Sequence, residues 1–144
     1  MTYLLDTDVI SEWASDSPNP NVRKWLGFIP SHDLFLSAVS IAEVRFGVEG
    51  RDPGRRRTEL ETWVSDQLIP YFDERLLPID EPVASCWGRI LVRAKRAGRP
   101  IDVMDGFIAA TAEAHNLTLV TRNLDDFKGW GGPVFNPWTE DPPA

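Results

Sequence analysis

Carboxylates recur in this sequence beside apolar runs. "YLLDTD" drives Tyr3, Leu4 and Leu5 straight into Asp6, with Asp8 two positions on. "LFLSAVSIAE" brings Glu43 shortly after an apolar run, "DVMD" sets Asp102 and Asp105 before a small-residue stretch, and "LTLVTRNLDDF" carries Asn123, Asp125 and Asp126 past another. Carboxylates that converge repel by about 1–4 kcal/mol per close pair, depending on the local dielectric. A fold tolerates such crowding when a cation relieves it. Oxygen donors without His or Cys favour Mg²⁺ or Mn²⁺ over zinc. One or two such ions activate water and stabilise an oxyanion leaving group, the arrangement used in phosphodiester hydrolysis.

Each acid also has a plainer explanation. Ser40-Ile-Ala-Glu43 matches a capping box, so Glu43 could close a helix start. Asp102 and Asp105 could serve a helix N-terminus, where negative charge is favourable. Asp8 could be a cap or turn residue, and Asp125 and Asp126 an ordinary solvated turn. The conjunction of placements, rather than any one spacing, favours a metal site.

The elements that must position these acids alternate. "TYLLD", "DLFLS", "RLLPID" and "LTLVT" read as short strands, and "VFNP" as a possible last one. "VISEWAS", "NVRKWLGFI", "AVSIAEVRFGVE", "TELETWVSDQLIPYFDE", "EPVASCWGRILVRAKRA" and "VMDGFIAATAEAHN" read as helices, the fourth interrupted near Pro70. "RDPGRRR" reads as a basic turn. Gly50 and Gly98 suit helix ends, and Pro82 a helix start. Strands alternating with helices mean parallel pairing, and such sheets collect function at the carboxyl ends of their strands. Asp6 lies at such an end.

The chain has 144 residues, 42% of them hydrophobic, with six Trp. That is enough for one domain with a buried core, expected over residues 1–138 with a flexible C-terminal tail over 139–144. No apolar run approaches ~20 residues, and Asp6 breaks the N-terminal run before signal-peptide length. The lone Cys86 excludes an internal disulfide and a Cys-based zinc site. A cytoplasmic protein with no membrane contact is expected. The net charge of −7 argues against a general basic nucleic-acid binder, while leaving open recognition of phosphate through a metal.

The motifs resemble those of PIN-domain ribonucleases, in particular the VapC-type toxins of VapBC toxin–antitoxin modules. "LLDTDVISE" resembles the family's opening strand and first acid, "LSAVSIAEVRFGV" its second motif, and "DVMDGFIAATAEAHNLTLVTRNLDDF" its third motif and ending. The resemblance covers nearly the whole chain. It implies a three-layer α/β/α sandwich with a short, mostly parallel sheet of about five strands. It further implies Mg²⁺- or Mn²⁺-dependent endoribonuclease activity, with Asp6, Glu43 and Asp105 as the metal-binding acids. The fourth family position falls on Asn123, where many relatives carry Asp, and Asp126 could reach in from the following turn. Thr7 and Thr121 are implied as hydroxyls supporting the acids.

The resemblance also implies partners: an RNA substrate, a VapB-type antitoxin and a second copy of the chain in a homodimer. An acidic cleft is a ready receptor for a guanidinium, so the antitoxin is expected to insert an Arg near Asp6, Glu43 and Asp105. An amphipathic antitoxin helix is expected around Trp13 and residues 54–69. For RNA, Arg89, Arg93 and Arg96 share one helix face, Arg51 and Arg55–Arg57 crowd one turn, and Trp13 and Trp25 could stack on unpaired bases. All of these also have plain readings, as solvated faces and core aromatics. His115 reads as a helix-end residue.

Two alternatives stay open at this point. A haloacid-dehalogenase-type phosphatase would use Asp6 as nucleophile and Asp8 as acid/base, but would leave Glu43 and Asp105 without a role. A degenerate PIN fold that only binds its partner is kept open by the amide at Asn123.

Overall fold

The computed structural model describes residues 1–141. Among them, five short strands form one sheet in the order β3-β2-β1-β4-β5. These are β1 (Tyr3–Leu5), β2 (Leu34–Ser37), β3 (Leu76–Leu77), β4 (Thr118–Val120) and β5 (Val134–Phe135). Every pairing is parallel, so the expected "mostly parallel" sheet is wholly so. β1 is central, with Leu4 opposite Phe35 on one side and Leu119 on the other.

All three β1 residues are buried, because a parallel strand carries helices on both faces. Successive side chains take opposite sides. Leu4 and Leu119 enter one core with Ile90 and Ala94 of α6 (Glu81–Arg96) and Ile108 and Ala112 of α7 (Val103–Ala114). Tyr3, Leu5, Leu36 and Val120 enter the other. There they meet Val9 and Ile10 of α1 (Thr7–Trp13), Trp25 of α2 (Pro20–Phe28), and Leu68 and Phe72. The result is the α/β/α sandwich.

Strands run into helices with almost no connecting chain. Asp6 alone separates β1 from α1, and its carboxylate caps that helix by accepting from Thr7 N. Ser37 ends β2 and caps α3 (Ala38–Glu49), its hydroxyl accepting from Val39 N. The helix therefore starts two residues before Ser40, and the capping box read at Ser40 and Glu43 does not form. Asp80 and Asp102 cap α6 and α7.

A local expectation is corrected. "RDPGRRR" is not all turn: Arg55–Arg57 open α4 (Arg55–Trp63), their side chains forming ion pairs with Glu49, Glu59 and Glu61. The expected interruption near Pro70 is present, as a change of winding rather than a break. A wide π-turn over Val64–Leu68, closed by Ile69 N donating to Val64 O, leads into α5 (Ile69–Phe72). Pro70 has no N–H and its ring crowds the preceding turn, and the wider turn accommodates both effects. At the other end, Thr139 N and Glu140 N donate to Asn136 O, and Glu140 Oε2 accepts from Asn136 N. Of the expected tail, residues 142–144 lie outside the described residues.

Gly129 seats the segment after β4 against the end of α6. A Cβ there would collide with the carbonyl oxygen of Arg99 and stand 2.9 Å from Ala94 Cβ. Neither neighbour is a flexible side-chain end. Gly129→Ala is therefore expected to destabilise the fold by about 1–3 kcal/mol, read from urea or thermal unfolding.

Candidate active site

From β1 the sheet grows through β2 to β3 on one side and through β4 to β5 on the other. The order reverses between β1 and β4, and a crevice opens beyond the carboxyl ends of strands at such a point. Asp6 and Thr121, each the first residue after its strand, face one another there. Thr121 Oγ1 donates to Asp6 Oδ2 at 2.8 Å and accepts from Asn123 N at 3.0 Å.

α3 brings the second acid. Glu43 lies in the second turn of α3, and Thr7, next to Asp6, donates its hydroxyl to Glu43 Oε1 at 2.7 Å. Thr7 Oγ1 also lies 3.0 Å from Ser40 Oγ. Asp105, in the first turn of α7, is the third. It is close enough to Asp6, Asp8, Glu43 and Asp126 for charge to act between them. The structure thus gathers Asp6, Glu43, Asp105 and Asp126 at one edge. Asp125 does not join them; it pairs with Lys128 at 2.8 Å on the outside of its turn.

The electrostatics follow from burial and crowding. Asp6 is 6% exposed, and burial first, then the Asp8 charge, push its pKa up to about 7 against the opposing hydrogen bonds from Thr121 and Thr7. Burial, with the charges of Asp102, Asp126 and Glu43, raises Asp105 to about 6. Among the described residues no three His, Cys, Asp or Glu side chains close on a single point; the carboxylates stand around the edge, as like charges do. The donor set still fits a hard divalent cation. It is all oxygen, it is partly buried, and one carboxylate oxygen, Asp8 Oδ1, is buried without a hydrogen-bond partner.

Several sequence readings change at this point. Trp25 is fully buried, edge-on to Tyr3 at 5.1 Å, and is not a platform for bases. Trp13 is partly exposed but packs edge-on against Tyr71. Arg93 pairs with Glu113, and Arg56 with Asp16 and Glu59. His115 caps the C-terminal end of α7, as expected of a helix-end residue. Missed altogether was Arg122, whose guanidinium lies over the Trp138 ring at 5.3 Å beside Asp8. The only signal for it was its place between Thr121 and Asn123.

The sign of the Asp6 shift makes a test. Its folded pKa of about 7 lies above the ordinary 3.8, so the folded chain holds the proton more tightly than the unfolded one. Stability contributed by the protonated form is complete below about pH 4 and is lost as pH rises toward 7. Asp6→Asn removes the charge and keeps the shape. In EDTA it is expected to stabilise the fold by about 1–3 kcal/mol at pH 8 and by almost nothing near pH 4, read from melting curves across that range.

Comparison with known proteins places this geometry in a family. The chain is 42% identical to toxin FitB of Neisseria gonorrhoeae over 94% of its own length and 97% of that protein. It is 36% identical to the VapC ribonuclease Y4jK of Sinorhizobium fredii, over 94% of the chain and 96% of the relative. The crystal structure of FitAcB from Neisseria gonorrhoeae superposes with a TM-score of 0.91 at 41% identity, covering 96% of this chain and all of that one. Residues 3–129 match the PIN domain, and the chain belongs to the PIN domain family.

Proposed function

We propose that this protein is an endoribonuclease, the toxin of a VapBC-type toxin–antitoxin pair, and that it works with Mg²⁺ or Mn²⁺. One observation carries the reading: Asp6, Glu43 and Asp105 stand around the switch point of the sheet, near enough for their charges to act on one another, with the Thr7 and Thr121 hydroxyls holding two of them. Names among the relatives, a toxin and a VapC ribonuclease, support it.

Asp6, Glu43 and Asp105 would hold the ion, with Asn123 and Asp126 at the rim of the site. When bound, the ion supplies Lewis-acid polarisation of the phosphodiester and an acidified water for in-line attack. The chain's own residues do the rest. Thr121 fixes one Asp6 oxygen and Thr7 N the other, so the carboxylate presents a set direction. Thr7 does the same for Glu43. The phosphatase reading leaves Glu43 without a role, whereas the Thr7 hydroxyl ties Glu43 to the end of β1. The partner-binding-only reading rests on Asn123 and stands or falls with activity.

The remaining partners belong to the same proposal: a VapB-type antitoxin, a homodimer, and a cytoplasmic setting. No helix among the described residues is long and apolar enough to cross a membrane. A cleft of about 520 Å³ runs from Thr7 and Glu43 along Ile10, Val44, Leu60 and Trp63. An amphipathic helix of the antitoxin fits along it, with an Arg reaching the acids.

Purified protein with Mg²⁺ or Mn²⁺ is expected to cut RNA internally. Asp6→Asn and Asp105→Asn should each lower the rate by about 100-fold or more while remaining folded. Thr121→Val should cost about 10–100-fold, as loss of a group that orients a metal-binding side chain does. Unchanged cleavage in both Asp variants would sink the site assignment. A further variant separates the partner surface from the site. Gly47 lines the cleft, and a Cβ there meets nothing within 4 Å. Gly47→Leu should keep RNA cleavage while weakening antitoxin binding about tenfold or more, measured by calorimetric titration of the purified pair.

A further inference from the structure

Asp8 is an acid that neither the cap of α1 nor the three proposed metal ligands account for. The cap is Asp6. Although Asp8 sits in the first turn of α1, its carboxylate is tied to the exit of β4. Asp8 Oδ2 accepts from Arg122 N at 2.9 Å and from Asn123 Nδ2 at 3.4 Å, and lies 3.3 Å from Thr121 Oγ1, whose one proton goes to Asp6. Asp8 Oδ1, by contrast, is buried and has no hydrogen-bond partner among the described residues. A buried carboxylate oxygen left unpaired is costly, and favourable charge at a helix start does not require it. The Asp8 charge is also felt at both Asp6 and Asp105.

The neighbour on the other side of this contact is Asn123. Asp and Asn have nearly the same shape and differ in charge and in the donors they offer. The pair Asp8–Asn123 thus holds one negative charge and one amide across a single contact, and in this chain the charge lies on α1 rather than after β4. We propose that Asp8 is the fourth acid of the metal site, supplying the negative charge that Asn123 lacks, with its Oδ1 turned to the cation. This rests on the metal-dependent reading above.

The test compares four full-length proteins: wild type, Asp8→Asn, Asn123→Asp and the transposed double variant. Mn²⁺ affinity is measured by electron paramagnetic resonance, with melting curves alongside to show that each is folded. Asp8→Asn is expected to bind Mn²⁺ about tenfold more weakly than wild type. The double variant, with its charge moved across the contact, should return to within about threefold of wild type. The inference is overturned if Asp8→Asn binds within about twofold of wild type, or if the double variant binds no more tightly than Asp8→Asn. Should Asp8→Asn not fold, Asn123→Asp against the double variant decides: about tenfold loss on adding Asp8→Asn supports an Asp8 charge that reaches the ion, while equal affinity in those two overturns it. Wild type that binds no Mn²⁺ at all would overturn the metal reading itself, an outcome distinct from these.

Discussion

Mutual repulsion among carboxylates at one edge of a parallel sheet is the constraint around which this molecule is arranged. Asp6 is almost fully buried, and that burial, with the charges of Asp8 and then Asp105, pushes its pKa up to about 7. Left to themselves, such groups would turn to solvent or take up protons. They are held instead by donors: Thr7 N and the Thr121 hydroxyl on Asp6, the Thr7 hydroxyl on Glu43, and Arg122 N on Asp8. These donors come from two parts of the chain more than a hundred residues apart, so the acids keep their places only while the elements beneath them keep theirs.

That rigidity is supplied by the two apolar layers. The strands are two to four residues long, too few for hydrogen bonding alone to fix them. Their alternating side chains are locked between α6 and α7 on one face and α1, α2 and the 55–72 helical segment on the other. Close packing of this kind leaves little room for movement, so a carboxylate at a strand end inherits the stiffness of the core below it. Topology does the gathering: because the sheet grows in two directions from β1, the first strand of the chain ends beside the fourth.

The sequence made the gross plan legible because each strand's apolar run ends at a polar residue, and that period and boundary are local signals. Asp6 could be read this way, and Asp105 from the small-residue helix it opens. Glu43 was ambiguous because Ser40 mimics a cap, when the true cap is Ser37 at the end of β2. Nothing local distinguishes the two serines; the strand's pairing with β1 does. Arg55–Arg57 looked like a loop because Pro53 and Gly54 precede them, and the acids that make them helical neighbours lie four residues on. Trp25 was legible as apolar but not as buried. The role of Asp8 was the least legible of all, since its partners lie 113 to 115 residues away and only the register between β1 and β4 brings them together.

The pairing of β1 with β4 has a consequence in time as well as space. The hydrogen bond from Thr121 to Asp6 spans 115 residues, and closing so long a loop belongs to the slow, non-local part of folding. A ribosome adds about 5–20 residues per second, so several seconds separate the synthesis of the first acid from that of the strand that completes its surroundings. Throughout that interval β1 can pair with β2 and bury its flank, while the crevice has one wall. A nascent chain therefore carries an unfinished crevice through most of its synthesis. The site is completed only with the last third of the polypeptide, when β4 docks and Thr121 joins Thr7 in holding Asp6.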